Sequence, residues 1–295
     1  MTYNPRTSRN LESELASYLG QSGKALFITG PTKCGKTVLV ERALGRSNSV
    51  WIQGSDLKSI DVFWTSIVDA LALYDSAELA TTEQQTDGSA VRGGIRAPVV
   101  EFGGQLTESS TSTSSRKYSR SRSHADLARE ALERNPRPIV VDDFHFLSKP
   151  VQKEVARAIK ELIRFNHVIM IAVPYDALAA VRSEPDLGGR VWDLKVVPWE
   201  LDELAYIAAK GFAALNLTDA NGQLAAALAS ESFGAPFLMQ QLCFDLCQVA
   251  GVRGPQAPDT QILPPSDWND FFNRIANRVQ PPISTFGVMR QPVGG

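Results

Sequence analysis

The sequence predicts an α/β protein: a doubly wound αβα core on a five-stranded parallel sheet, followed by an all-helical segment. Three observations predict it. Short apolar runs alternate with longer amphipathic stretches as far as Pro198, the pattern of strand and helix units in a parallel sheet. Directly after the first apolar run stands a glycine-rich turn, Gly30-Pro31-Thr32-Lys33-Cys34-Gly35-Lys36-Thr37, and an amphipathic stretch follows it. Beyond Pro198 only helical periodicity continues, as far as Gly251.

The predicted strands are Ala25 to Thr29, Val50 to Gln53, Ile139 to Val141, Val168 to Val173 and Leu194 to Val197, short and rich in Ile and Val as buried parallel strands are. The predicted core helices are Leu11 to Leu19, Lys36 to Leu44, Leu57 to Tyr74, His124 to Arg134, Val151 to Phe165 and Ala177 to Val181. The alternation is interrupted over 75–123, where Gly, Ser, Thr and Gln dominate. Its first half allows a small β-hairpin over 91–106. Its second half, Ser109 to Ser123, buries too little apolar surface to offset its chain entropy and is expected to be disordered when unbound.

These features divide the chain into an αβα core over 1–198, a helical unit over 199–251 and a proline-rich tail over 252–295. The helical unit carries Leu201 to Leu215, Gln223 to Ser230 and Phe237 to Ala250. The tail carries one amphipathic helix, Ser266 to Val279, with Trp268, Phe271, Phe272 and Ile275 at helical spacing and Ser266 and Asp267 as caps.

Composition narrows the function classes. Hydrophobic residues make up 43% of 295, enough for a substantial core, and 30 Lys and Arg against 32 Asp and Glu leave a net charge of -2. No global positive field therefore points to nucleic acid or an anionic membrane, and any such contact is local. Three cysteines make neither a disulfide framework nor a zinc pattern. No apolar run reaches the roughly 18 residues of a membrane span, so no membrane contact and a cytoplasmic location are expected.

The glycine-rich turn fits GxxxxGK[ST], with a strand before it and a helix after it. Glycines let successive N–H groups curl around a phosphate, and the following helix turns its positive end toward the same anion. In this P-loop reading Gly30 to Val38 bind the nucleotide, Lys36 reaches the β- and γ-phosphates, and the Thr37 hydroxyl ligates Mg²⁺. Cys34 is read as an incidental small residue rather than a redox group. The second half of the site is Ile139-Val140-Val141-Asp142-Asp143, an apolar strand ending in two carboxylates. Asp142 is expected to hold Mg²⁺ and Asp143 to orient the attacking water, with ATP as the nucleotide. His145 is read as a packed side chain at the start of the next loop.

Taken together, these residues resemble the AAA+ ATPases, and within them the origin-recognition and Cdc6-like initiators and the STAND signalling ATPases. The resemblance covers roughly Arg6 to Gly251. It rests further on Leu187-Gly188-Gly189-Arg190 before the fifth strand, on Pro198 and an acidic helix start after it, and on Gly234-Ala235-Pro236. It implies that Arg190 acts as an arginine finger on the γ-phosphate of a neighbouring subunit, with Arg182 as the alternative. It implies that the 199–251 unit is the AAA+ lid and that Pro236 lies near the base or ribose. One departure bears on rate: the fourth strand ends in Ile171-Ala172-Val173-Pro174, where the family usually shows a polar or basic sensor residue, and no second-sensor arginine stands at Gly234 to Pro236. Slow turnover is expected.

The function expected from the resemblance is an ATP-binding and ATP-hydrolysing molecular switch, homo-oligomeric, controlling a separate protein effector in bacterial defence or regulation. The alternative is a nucleic-acid-binding ATPase of the initiator, loader or transposition-helper type. Its DNA contacts would come from Arg116, Lys117, Arg120 and Arg122 of the basic serine tract, which otherwise serves as a solvated linker.

Overall fold

A computed structural model describes residues 3–73, 122–173, 187 and 189–278. Five strands form one parallel sheet: β1 (Ala25–Thr29), β2 (Val50–Gln53), β3 (Ile139–Asp142), β4 (Val168–Ala172) and β5 (Val191–Lys195), in the order β2-β3-β4-β1-β5. All five β1 residues are buried. Ala25 and Phe27 face one apolar cluster, while Leu26 and Ile28 face another, as the twofold period of a strand demands.

Helices cover both faces. On one side lie α1 (Leu11–Leu19) and α2 (Lys36–Leu44), which supply Leu15, Tyr18 and Val40 to their cluster. On the other lie α3 (Ile60–Ala70), α4 (His124–Arg134) and α5 (Lys149–Leu162), which bury Phe63, Ile67, Leu132 and Ile159. The sheet is therefore the middle layer of three, and its inner strands β1, β3 and β4 are buried along their length because neither of their faces meets water.

Differences from the predicted elements have local causes. α3 begins at Ile60 rather than Leu57, because the Ser59 side chain accepts a hydrogen bond from the Val62 N–H and caps the helix. Pro150 sits in the first turn of α5, where its missing N–H costs nothing, so the helix starts before Val151. β5 is displaced from the predicted 194–197 to Val191–Lys195. It is an edge strand with its first three residues half-buried, and such a strand needs no continuous apolar run. The predicted helix at 177–181, the hairpin at 91–106, Arg182 and most of the basic serine tract lie outside the described residues.

The C-terminal unit has its own core. α6 (Leu201–Ala214), α7 (Gln223–Ser230) and α8 (Pro236–Val249) enclose Leu204, Phe212, Leu228, Met239 and Leu246. Residues after Gly251 join that core. Leu217–Thr218 (β6) and Thr260–Gln261 (β7) pair in parallel, and α9 (Trp268–Arg278) inserts Phe271 and Ile275. The Asp267 carboxylate accepts from the Asn269 and Asp270 N–H groups and caps α9.

Candidate functional site

The first helical residue after the glycine-rich turn is Lys36, and its backbone entry is possible because Gly35 takes a φ of 88°. Gly30 is constrained differently: a Cβ there would stand 2.2 Å from the Val196 carbonyl oxygen, so only glycine lets the turn lie against the exit of β5. The Lys36 ammonium is buried and donates to the Gly30 and Pro31 carbonyl oxygens at 2.8 and 2.6 Å. Burial lowers its pKa, and the nearby Cys34, Asp143 and Asp142 oppose that shift.

The end of β3 supplies the opposite charges. The Thr37 hydroxyl donates to Asp142 Oδ2 at 3.0 Å, and the Asp143 N–H donates to Asp142 Oδ1 at 2.9 Å. Burial pushes the Asp142 carboxyl above the usual range; the Thr37 hydrogen bond works against this and the Asp143 charge adds to it. Asp143 has a φ of 54°, a left-handed conformation that Asp tolerates better than most residues. Its backbone also lies hard against the end of β2: a Cβ on Gly54 would stand 2.3 Å from the Asp143 carbonyl oxygen. Hydroxyl and carboxylate oxygens side by side are the donor set that Mg²⁺ accepts, so the residues fit that ion.

Lysine, hydroxyl and both carboxylates line one cavity of about 420 Å³. Thr32 to Val38 form one wall, Ile171 and Val173 another, and Tyr3, Asn4, Trp199, Pro236 and Phe237 close the far end. That far end is assembled from three distant segments. The Arg6 guanidinium, 4% exposed, donates to both carboxylate oxygens of Glu203 at 3.0 and 2.8 Å and to the Val197 and Pro198 carbonyl oxygens. It lies 5.0 Å from the centre of the Trp199 ring. Burial raises the Glu203 carboxyl, but hydrogen bonds from Arg6 and the Glu200 N–H, with the charges of Arg6 and Arg9, hold it below the usual value. The Lys33 ammonium stands 4.8 Å over the Phe237 ring, joining the glycine-rich turn to α8.

Chains of known structure share this fold. Cdc6p from Pyrobaculum aerophilum matches at 14% identity and a TM-score of 0.57, covering 99% of this chain and 72% of that one. The ORC1 protein of Aeropyrum pernix, solved in complex with DNA, matches at 16% and 0.53, covering 94% and 66%. A STAND protein from Pyrococcus horikoshii with a tetratricopeptide repeat sensor matches at 16% and 0.50, covering 94% of this chain but 33% of that one. The chain has the AAA+ P-loop ATPase fold of the Cdc6/ORC-like type. No protein-family model and no curated protein matches the sequence.

Within this AAA+ fold, Thr32 to Val38, Asp142, Asp143 and Pro236 meet at the cavity, and Gly30 and Pro31 offer their carbonyls to Lys36. Arg190 stands apart. Its carbonyl accepts from the Ala25 N–H, which places it where β1 begins, whereas the P-loop follows the end of that strand about 16 Å away. Arg190 is exposed and is not among the residues that line this cavity. Cys34 is buried, which raises its thiol pKa against the pull of Lys36 and Arg6. The site uses its carbonyl oxygen, not its sulfur. His145 packs on Phe146 and lies 3.5 Å from the Val173 N–H.

Sequence reasoning missed Arg6, Gly54, Trp199, Glu203 and Phe237. A sequence signal existed for one of them: Glu200-Leu201-Asp202-Glu203 spaces two glutamates as a capping box, and the structure forms it.

Proposed function

We propose that this chain binds ATP with Mg²⁺, hydrolyses it slowly, and acts as an oligomeric switch whose assembly controls a separate protein partner. The reading is carried by the convergence of Lys36, Thr37, Asp142 and Asp143 on a cavity whose far wall belongs to the lid. The P-loop amides and Lys36 hold the β- and γ-phosphates; Thr37 and Asp142 would hold the metal. Bound Mg²⁺ would neutralise charge on the phosphate oxygens. Asp143, beside Asp142, orients the attacking water and takes its proton. Val173 lines the cavity where a polar sensor would act, in keeping with slow turnover.

Arg190 is too far from its own cavity to act there, and in this reading it serves a neighbouring copy. Arginine fingers contribute about 10³ to 10⁵ in rate where they act. Two measurements test the proposal. Calorimetric titration with ATP should give binding by the native chain and none by Lys36→Ala. Gel filtration at micromolar concentration should show an ATP-dependent assembly; a monomer with and without ATP overturns the switch.

A second reading, a nucleic-acid-binding ATPase, is favoured by the likeness to the DNA-bound Aeropyrum chain and by the basic residues between Ser109 and Ser123. Filter binding at low and high salt, with that tract deleted, tests it: unchanged DNA affinity removes the tract.

A further inference from the structure

The residue that joins the P-loop to the lid is Trp199. Its indole N–H donates to the Cys34 carbonyl oxygen at 3.0 Å, and its backbone N–H donates to the Gly234 carbonyl oxygen at 2.9 Å. Cys34 is inside the P-loop, whereas Gly234 is two residues before α8 begins at Pro236. The indole also lies along Gly35, where a Cβ would stand 4.0 Å from ring atom Cζ2. The turn on the lid side leaves no slack. Gly234 has a φ of 73°, and a Cβ there would meet the Pro198 Cβ at 2.8 Å and the Trp199 carbonyl oxygen at 3.3 Å. On its other side the ring faces the Arg6 guanidinium, which is itself anchored by Glu203.

The consequence for phosphate binding follows from peptide geometry. A trans peptide is planar, so its C=O and N–H point in opposite directions. The Cys34 carbonyl is held by the indole, which fixes the plane of the Cys34–Gly35 peptide and with it the direction of the Gly35 N–H. Gly35 lines the cavity, in the loop whose amides receive the phosphates.

We propose that Trp199 is a positioning residue: it presets the Gly35 amide for a phosphate and, through Gly234, makes that setting depend on where the lid stands. This rests on the reading of the P-loop as a nucleotide site and deepens it. Phosphate binding and lid position are then two ends of one hydrogen-bonded linkage, so a phosphate ligand tightens the turn before α8.

The test is Trp199→Phe, which keeps an aromatic ring against Arg6 and removes the N–H. ADP and inorganic pyrophosphate are titrated against the native chain and the variant. Unfolding of the ligand-free proteins and hydrogen exchange of residues 233–239 with and without ADP are measured alongside. Loss of one such hydrogen bond is expected to weaken both ligands about two- to tenfold. The ligand-free variant should still unfold in one cooperative transition, at a modestly lower midpoint because this hydrogen bond is present without ligand, and the ADP-induced protection of 233–239 should fall. Native affinity in the variant, undiminished protection of 233–239, or a ligand-free variant already partly unfolded under the binding conditions each overturns the proposal. A native chain that binds neither ADP nor pyrophosphate overturns the nucleotide reading and the proposal with it. Native binding without a loss in the variant overturns the proposal alone.

Discussion

At the P-loop end of the cavity the groups come from two short stretches, residues 30–38 and 142–143, and burial disfavours the charged forms of Lys36 and Asp142. Lys36 is lowered and Asp142 is raised. At the hinge end the groups come from residues 4–6, 197–203 and 234–237, and the central carboxylate is paired within the chain. Glu203 takes two hydrogen bonds from Arg6 and one from the Glu200 N–H, and its pKa falls. The difference separates two kinds of buried charge. The first kind is only partly compensated within the chain, and in the proposed function a charged ligand supplies the rest. The second is paired within the chain and joins the sheet core to the C-terminal helical unit.

That comparison can be broken in several places. The largest effect is expected from Asp143→Asn. Asn tolerates the left-handed backbone of Asp143, so nucleotide binding should persist while phosphate release falls about 10² to 10⁴-fold. Equal phosphate release by variant and native chain would remove Asp143 as the group that activates the water. Arg6→Leu comes next. It leaves the Glu203 carboxylate buried without its partner, which should cost about 3 to 5 kcal/mol in chemical unfolding. Adding Glu203→Leu should recover part of that loss; a double variant no more stable than the single one would argue against the pair as the source.

Smaller effects sharpen the same contrast. Gly54→Ala drives a methyl group into the Asp143 carbonyl, and should cost about 1 to 3 kcal/mol. It should slow hydrolysis while leaving the hinge end intact, as read by unaltered hydrogen exchange of α6. The smallest expected effect is of pH. Because the folded Glu203 pKa lies below its ordinary value of 4.5, the stability it contributes is complete above that value and is lost as pH falls through the lower folded pKa. Asp142 runs the other way: raised by burial, it takes up its proton at higher pH than an ordinary aspartate. Acidification should therefore weaken Mg²⁺-dependent nucleotide binding before it loosens the hinge. Loss of both in the same pH interval would erase the distinction.

The phosphate end was legible in the sequence because its parts are contiguous. Gly30 to Thr37 and Ile139 to Asp143 each place their groups by local geometry, a turn into a helix and a strand into a turn. The strand positions were legible for the same reason: central parallel strands are apolar throughout. β5 shifted because an edge strand is freed from that demand. The hinge end was not legible. Arg6 reads as one arginine among many, and Gly54 as an ordinary turn glycine, until another segment is brought against each.

By itself the sequence determined which stretches become strands and helices and which short motif can cradle phosphate, since these depend on neighbours a few residues apart. The tertiary structure alone decided that Arg6 meets Glu203 across 197 positions, that Trp199 reaches the Cys34 carbonyl, and that Arg190 stands at the far end of β1 from its own P-loop. Such contacts follow from how the layers pack, and a buried charge or a single indole N–H acquires a partner only once packing has chosen its neighbours.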